Sequence, residues 1–245
     1  LPAIYIRTDR GIQGPRDLTG RTVGVREFSM TAALVARGVL EDDFGLRAAD
    51  VRWRYGPAYE GDSDPIVRMK PHGIELEPLT DSANLSDALR DGVIDALVAY
   101  KPPPAFLDGV PNVGRLFVDF PALELDYARR TEIFPIMHLL GVRREIAERD
   151  PELCLRVCNA FEASRRYAIE RTKESQAPFT SLPWASNEME RSLQILGGNF
   201  WSYGVNANRP ALEALCRYSH TQGIITRSVA VDELFAPVTL SWTPS

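Results

Sequence analysis

Residues 17–25 read Asp-Leu-Thr-Gly-Arg-Thr-Val-Gly-Val, and the punctuation of this stretch decides the fold. Asp17–Arg21 makes a short helical turn closed by Gly20, because glycine takes the left-handed backbone that ends a helix. Thr22–Arg26 then reads as a strand. Ser29 and Thr31 stand where a helix opens, and the helix runs to about Phe44 with Met30, Leu34, Val35 and Val39 on its inner face. Upstream, Ala3–Arg7 (AIYIR) alternates like a strand and ends at the turn-rich Thr8–Gly14. Downstream come strands at Val51–Tyr55 and Ile74–Pro78, a helix at Ser82–Asp91 stopped by Gly92, and strands at Ile94–Ala99 (IDALVA) and Val113–Val118. Strands alternating with helices at this spacing mean βαβ units, a parallel-rich sheet and the α/β class.

After Arg143 the character changes. Pro151–Lys173, Pro183–Leu196 and Arg209–Gln222 carry helical periodicity, so most of the last hundred residues are helix. Helices with apolar faces need a layer to cover, and the lone strand Ala3–Arg7 cannot be that layer. Either these helices bundle by themselves or their sheet comes from residues upstream of Leu1; the second is the favoured reading.

The bulk properties exclude several classes. A net charge of −5 over 245 residues provides no dedicated phosphate-binding surface, so nucleic acid is not an expected partner. No apolar stretch approaches membrane-span length, so no membrane partner is expected either. The three cysteines have no metal-ligand spacing, and Cys154 and Cys158, four apart on a helix, read as packing residues of a protein from a reducing cytoplasm. The three histidines, His72, His138 and His220, form no H-x-H or H-E-x-x-H pattern, so no transition-metal site is expected, while a metal held casually by carboxylates stays open. Trp184, Trp201 and Tyr203 read as packing of the C-terminal helices.

The chemistry-bearing candidates are few. Ile133–Val142 (IFPIMHLLGV) reads as a strand buried on both faces, and His138 is its only ionisable side chain. An imidazole there suits a proton donor or acceptor; the plainer role is a core histidine satisfied by backbone. The strand feeding the helix at Ser29–Thr31 presents free backbone N–H groups and a positive dipole end, fit for a carboxylate or for simple N-capping. There is no glycine-rich phosphate fingerprint.

The order of strand, D-L-x-G-R-x-V-G-V, helix and G-x-I-D-A-L-V-A resembles the type II periplasmic-binding-protein fold. More specific are Ile133–His138, Phe200-Trp201-Ser202-Tyr203-Gly204, Tyr218–Gly223 and Glu233-Leu234-Phe235-Ala236-Pro237, with Ile4–Asp9 at the front. Together they resemble the 4,5-dihydroxyphthalate decarboxylase family from about Ala3 to Pro237. The resemblance implies a two-lobed fold with parallel-rich sheets flanked by helices and a ligand cleft between lobes. Lobe 1 would be residues 1–13 and 139–245, and lobe 2 residues 14–138, with family members' additional N-terminal residues completing the first lobe's sheet. It also implies a cytoplasmic, cofactor-independent carboxy-lyase acting on a small aromatic diacid, with a homo-oligomer as an open assembly state. The alternative is a solute-binding protein for a small carboxylate that does no chemistry.

For that chemistry His138 is the expected general acid. Glu27 is expected to accept a phenolic proton or orient His138, or simply to complement the helix dipole. Arg7 and Arg26, at strand ends, and Arg130, just before Ile133–Val142, are expected carboxylate anchors beside Ser29 and Thr31. Lys101-Pro102-Pro103 stands where the family pattern has Arg-Pro-Pro, and Arg26 where a proline is usual. Both departures bear on ligand preference.

Overall fold

A computed structural model describes residues 3–65, 69–174, 180–198 and 200–244. The chain divides into two compact units, Leu1–Met137 with Glu213–Ser228, and His138–Leu212 with Val229–Ser245.

The first unit is built on six strands: β1 (Ile4–Arg7), β2 (Thr22–Val25), β3 (Arg52–Tyr55), β4 (Leu76–Pro78), β5 (Ala96–Val98) and β6 (Val113–Arg115). They lie in the order β4-β3-β2-β5-β1-β6. β4, β3, β2 and β5 run parallel, as the βαβ reading requires, whereas β1 is inserted antiparallel between β5 and β6. Side-chain alternation then builds two faces. Ile4, Ile6, Val23, Val25, Ala96 and Val98 pack with Ala33, Ala36 and Leu40 of α1 (Thr31–Phe44). Tyr5 and Leu97 face the other way, onto Leu85, Ala88 and Leu89 of α2 (Leu85–Arg90). Gly24 shares that second face because a Cβ there would lie 2.7 Å from Ile94 Cδ1 and 2.8 Å from Leu85 Cδ2. α3 (Pro104–Leu107) and α4 (Phe120–Thr131) complete the run to Thr131.

The second unit is helical among the described residues, with α5 (Arg144–Arg149), α6 (Pro151–Lys173), α7 (Ala185–Leu196) and the first residues of α8 (Arg209–Thr221). Its firmest polar anchor is Glu162 on α6, buried and gripped through both oxygens by Arg165 at 2.8 Å and by Arg166 at 2.7 Å. Arg165 also donates to the Phe200 carbonyl at 3.1 Å.

Several sequence expectations meet a different arrangement. Ala3–Arg7 is not an orphan strand: Ile4, Tyr5 and Ile6 are central and buried. The first thirteen residues and Glu213–Ser228 group with the parallel strands in one compact unit. Ile133–Val142 forms no strand. Phe134, Met137, Leu139 and Leu140 are exposed, and Ile133 packs against Leu34, Ala214 and Tyr218. Apolar composition cannot make a strand without a ladder partner, and no described strand pairs with this segment. Pro135 also removes one donor. Trp184 and Trp201, expected inside, are 72% and 61% exposed. Ser29 and Thr31 do not cap α1: Met30 holds the N-cap position without a side-chain bond, and Ser29 Oγ donates to Glu27 Oε1 at 3.2 Å.

Candidate functional site

In an open α/β sheet the ligand crevice lies outside the carboxyl ends of the parallel strands, where the chain changes its direction of travel across the sheet. Here the chain goes from β2 outward to β3 and β4, then returns to lay β5 on the other side of β2. The switch point is therefore between the ends of β2 and β5, where Val25 is opposite Val98.

Arg26 follows β2 directly, and Tyr100 and Lys101 follow β5. Arg26 is committed to a carboxylate already present. It donates from Nε to Asp62 Oδ2 at 2.8 Å and from Nη2 to Asp62 Oδ1 at 3.2 Å and Ser63 Oγ at 2.9 Å, and lies 3.7 Å from Glu27 Oε2. Asp62 comes from the loop after β3. That loop is fixed because the Pro57 and Ala58 carbonyls accept from Leu85 and Ser86 N–H at the start of α2. Tyr59, on the same loop, packs against Tyr100 with ring centres 5.7 Å apart and planes tilted by 55°. Burial pushes the Tyr59 phenol above its ordinary pKa, and its hydroxyl is enclosed without a hydrogen-bond partner among the described residues. Lys101 Nζ lies 4.2 Å from the centre of the Tyr59 ring and 5.8 Å from that of Tyr100. Among the described residues Lys101 makes no ion pair, so its ammonium rests on aromatic faces alone.

This edge therefore offers an exposed ammonium, a guanidinium in a carboxylate-balanced pair, two phenol rings, the Ser29 hydroxyl and the amino end of α1. An aromatic carboxylate suits that combination: ring faces meet the apolar body, and Lys101 and the helix end meet the charge.

The hydrogen bond from Arg26, helped by backbone N–H groups of Ala58 and Ser63, holds the Asp62 carboxyl below the usual carboxylate range. Since that pKa is lower folded than unfolded, Asp62 stabilises the fold above the ordinary aspartate range and loses this contribution as pH falls through its lowered value. Asp62→Asn is expected to lower Tm at pH 7 and to flatten the fall of Tm below about pH 4. An acid profile overlaying that of the parent would show that the pair contributes nothing.

Of the residues singled out from sequence, Arg26, Glu27 and Ser29 are in side-chain contact after β2, Thr31 opens α1 just beyond them, and Lys101 follows β5, the strand paired with β2. Arg7 is not among them. β1 runs antiparallel to β5, so its carboxyl end reaches the opposite edge, where Arg7 pairs with Asp9 and donates to the Arg90 carbonyl at 2.5 Å. Arg130 is on the surface of α4, bonded to Asp126 at 2.7 Å and Asp43 at 2.8 Å. His138 is exposed on the extended segment and is the first residue of the second unit. His72 and His220 are exposed as well. Tyr59, Tyr100 and Asp62 were not anticipated. Tyr100 was accessible to reading, because it sits between the Ile94–Ala99 strand and Lys101, whereas Tyr59 and Asp62 lie in a Gly/Asp/Pro-rich excursion with no periodicity to place them. Among the described residues no group of histidine, cysteine, aspartate or glutamate side chains could hold a metal ion, and no helix is long and apolar enough to cross a membrane.

No family model matches the chain. A 4,5-dihydroxyphthalate decarboxylase of Comamonas testosteroni is 34% identical over 240 residues, covering 97% of this chain and 72% of the relative. A 4,5-dihydroxyphthalate decarboxylase of Pseudomonas putida is 38% identical over 128 residues, 52% of this chain and 50% of that relative. Among solved structures, the periplasmic aliphatic sulphonate binding protein of Escherichia coli aligns with a TM-score of 0.46 and 14% identity over 97% of this chain and 69% of its own. One-third identity sustained along nearly the whole chain makes it a member of the 4,5-dihydroxyphthalate decarboxylase family, and hence a carboxy-lyase.

Proposed function

We propose that the protein removes CO2 from an aromatic diacid of the 4,5-dihydroxyphthalate kind, held at the carboxyl edge of the first unit's sheet. The observation that carries this reading is the clustering of Lys101, Tyr59 and Tyr100 beyond the paired ends of β2 and β5, at the end of β2 that leads into α1. Lys101 takes a carboxylate, and the phenol rings contact the aromatic body. Arg26, already neutralised by Asp62 and Glu27, serves as a hydrogen-bond donor rather than a free charge. Arg7 and Arg130, spent on other partners, have no part in it.

Loss of CO2 leaves the carbon–carbon bonding pair on the ring carbon, and a proton must arrive there for the arene to form. The ring hydroxyl para to that carbon supplies electron density while Glu27 accepts its proton and returns it to the ring oxygen once CO2 has left. His138 supplies the proton to carbon and is recharged from water, so the step consumes one proton and needs no oxidant. Mass spectrometry of full-length protein with dihydroxy aromatic acids is expected to show loss of CO2 from 4,5-dihydroxyphthalate. Intact diacid after prolonged incubation would reject the substrate assignment.

Lys101→Met keeps the stem over Tyr59 and removes the charge. KM is expected to rise about ten- to a hundredfold, the equivalent of one charge-assisted hydrogen bond, while kcat changes little. An unchanged KM would move the anchor elsewhere.

A further inference from the structure

Arg37 is on α1, facing the core, with 1% of its surface exposed. Its Nε donates to Gln222 Oε1 at 2.7 Å and its Nη2 to the Phe28 carbonyl at 2.6 Å. The guanidinium carbon lies 3.7 Å from the centre of the Phe28 ring and 5.4 Å from that of Trp53. Nη1 is enclosed with no partner among the described residues. None of their carboxylates forms an ion pair with it. Burial pulls its pKa down to about 9, so the group stays charged at neutral pH. Gln222 in turn donates from Nε2 to the Leu34 carbonyl at 3.1 Å, which fixes the amide with its oxygen toward Arg37.

A buried cation held only by neutral acceptors and aromatic faces is costly, and such groups are ordinarily paired. Two facts give this one a purpose. The carbonyl it grips is Phe28, in the turn that carries Glu27, Ser29 and Thr31 into α1. And α1 directs its own positive end at that turn. Helix end and guanidinium thus place positive potential beneath the edge where the candidate site lies, and among the described residues no carboxylate is paired with Arg37 itself.

We propose that Arg37 is a positioning residue for the carboxylate site: it clamps the Phe28 turn from below, and its missing counter-ion is the carboxylate of the bound substrate. The inference rests on the site reading above and deepens it, because it predicts selection for a dianion over a neutral ligand of the same shape. Charge buried in low dielectric is felt across the turn, where the same charge in water would be screened.

The test compares full-length protein with Gln222→Glu, Gln222→Met and Arg37→Met by calorimetric titration with 4,5-dihydroxyphthalate and its neutral dimethyl ester. Gln222→Glu supplies the absent anion at the same atom, and the ratio of dianion to ester affinity is expected to fall about tenfold. Gln222→Met loses the same bond to Leu34 without adding charge and should shift both ligands together, leaving the ratio intact. Arg37→Met removes the cation from the other side and should reproduce the tenfold fall, which keeps the test decisive if Gln222→Glu does not fold. An unchanged ratio in the charge-altering variants would overturn the role of Arg37 alone. Failure of the parent protein to bind the dianion at all would overturn the site reading and this inference with it.

Discussion

Replacing His138 with alanine is expected to leave a protein that binds 4,5-dihydroxyphthalate and releases CO2 at least a hundredfold more slowly, within the range of about 10²–10⁴ that a positioned general acid contributes. The side chain is exposed on a segment with no ladder bonds, so truncation costs the fold little. Loss of turnover would therefore report chemistry rather than unfolding. Two measurements separate these: calorimetric affinity for the diacid, expected within about twofold of the parent, and CO2 release under saturating substrate. His138→Gln, which keeps hydrogen bonding but has no acidic proton to give up, should fall with alanine. Parental rates in either variant would remove the imidazole from the mechanism and direct attention to Tyr59.

The second large effect is on stability. Gly38 lies where α1 meets Tyr218 of α8, and a Cβ there would stand 2.4 Å from Cε2 and 2.5 Å from Cδ2 and Cζ of that ring. The ring cannot tilt away cheaply, because its hydroxyl donates to Asp42 Oδ2 at 2.6 Å and lies 3.4 Å from the Tyr127 hydroxyl. Arg217 binds the same Asp42 carboxylate at 2.7 and 2.9 Å, so the turn of α8 is tied down from two sides. Gly38→Ala is expected to destabilise the protein by about 3 kcal/mol, well beyond the roughly 1 kcal/mol that removing a helical glycine returns. Tm should drop by about 6–12 °C. Gly38→Ala with Tyr218→Leu should recover part of that loss, and independent effects of the two changes would mean the contact is not what sets the cost.

What could be read in advance divides along physical lines. β2, α1, α2 and β5 were legible because each states its own period: Val23 and Val25 alternate, and Ile94–Ala99 is apolar in all but Asp95, as a strand covered on both faces should be. Strand direction leaves no such mark. Alternation in Ile4–Arg7 is identical whether the strand runs up or down, and its antiparallel placement sends Arg7 to the edge away from Arg26 and Lys101. Ile133–Val142 misled for a related reason, since apolarity says that a segment needs cover without saying what supplies it. At the site, the residues directly after β2 and β5 were found because strand ends could be located, whereas Tyr59 and Asp62 reach it through a loop fixed by the amides of α2. Arg37 stayed hidden because an arginine in a helical pattern reads as belonging to the solvent side, and its partner Gln222 lies 185 positions away.

The antiparallel insertion of β1 also constrains how the protein is made. Ile4, Tyr5 and Ile6 leave the ribosome early, yet both neighbours that complete their ladders, Ala96–Val98 and Val113–Arg115, are translated roughly 90–110 residues later. At ordinary elongation speeds that is a wait of about 5–20 seconds, during which a short, greasy, unpaired ribbon stays available to the wrong acceptor. Nascent chains of this protein should therefore depend on holdase chaperones more heavily than a sheet laid down in translation order.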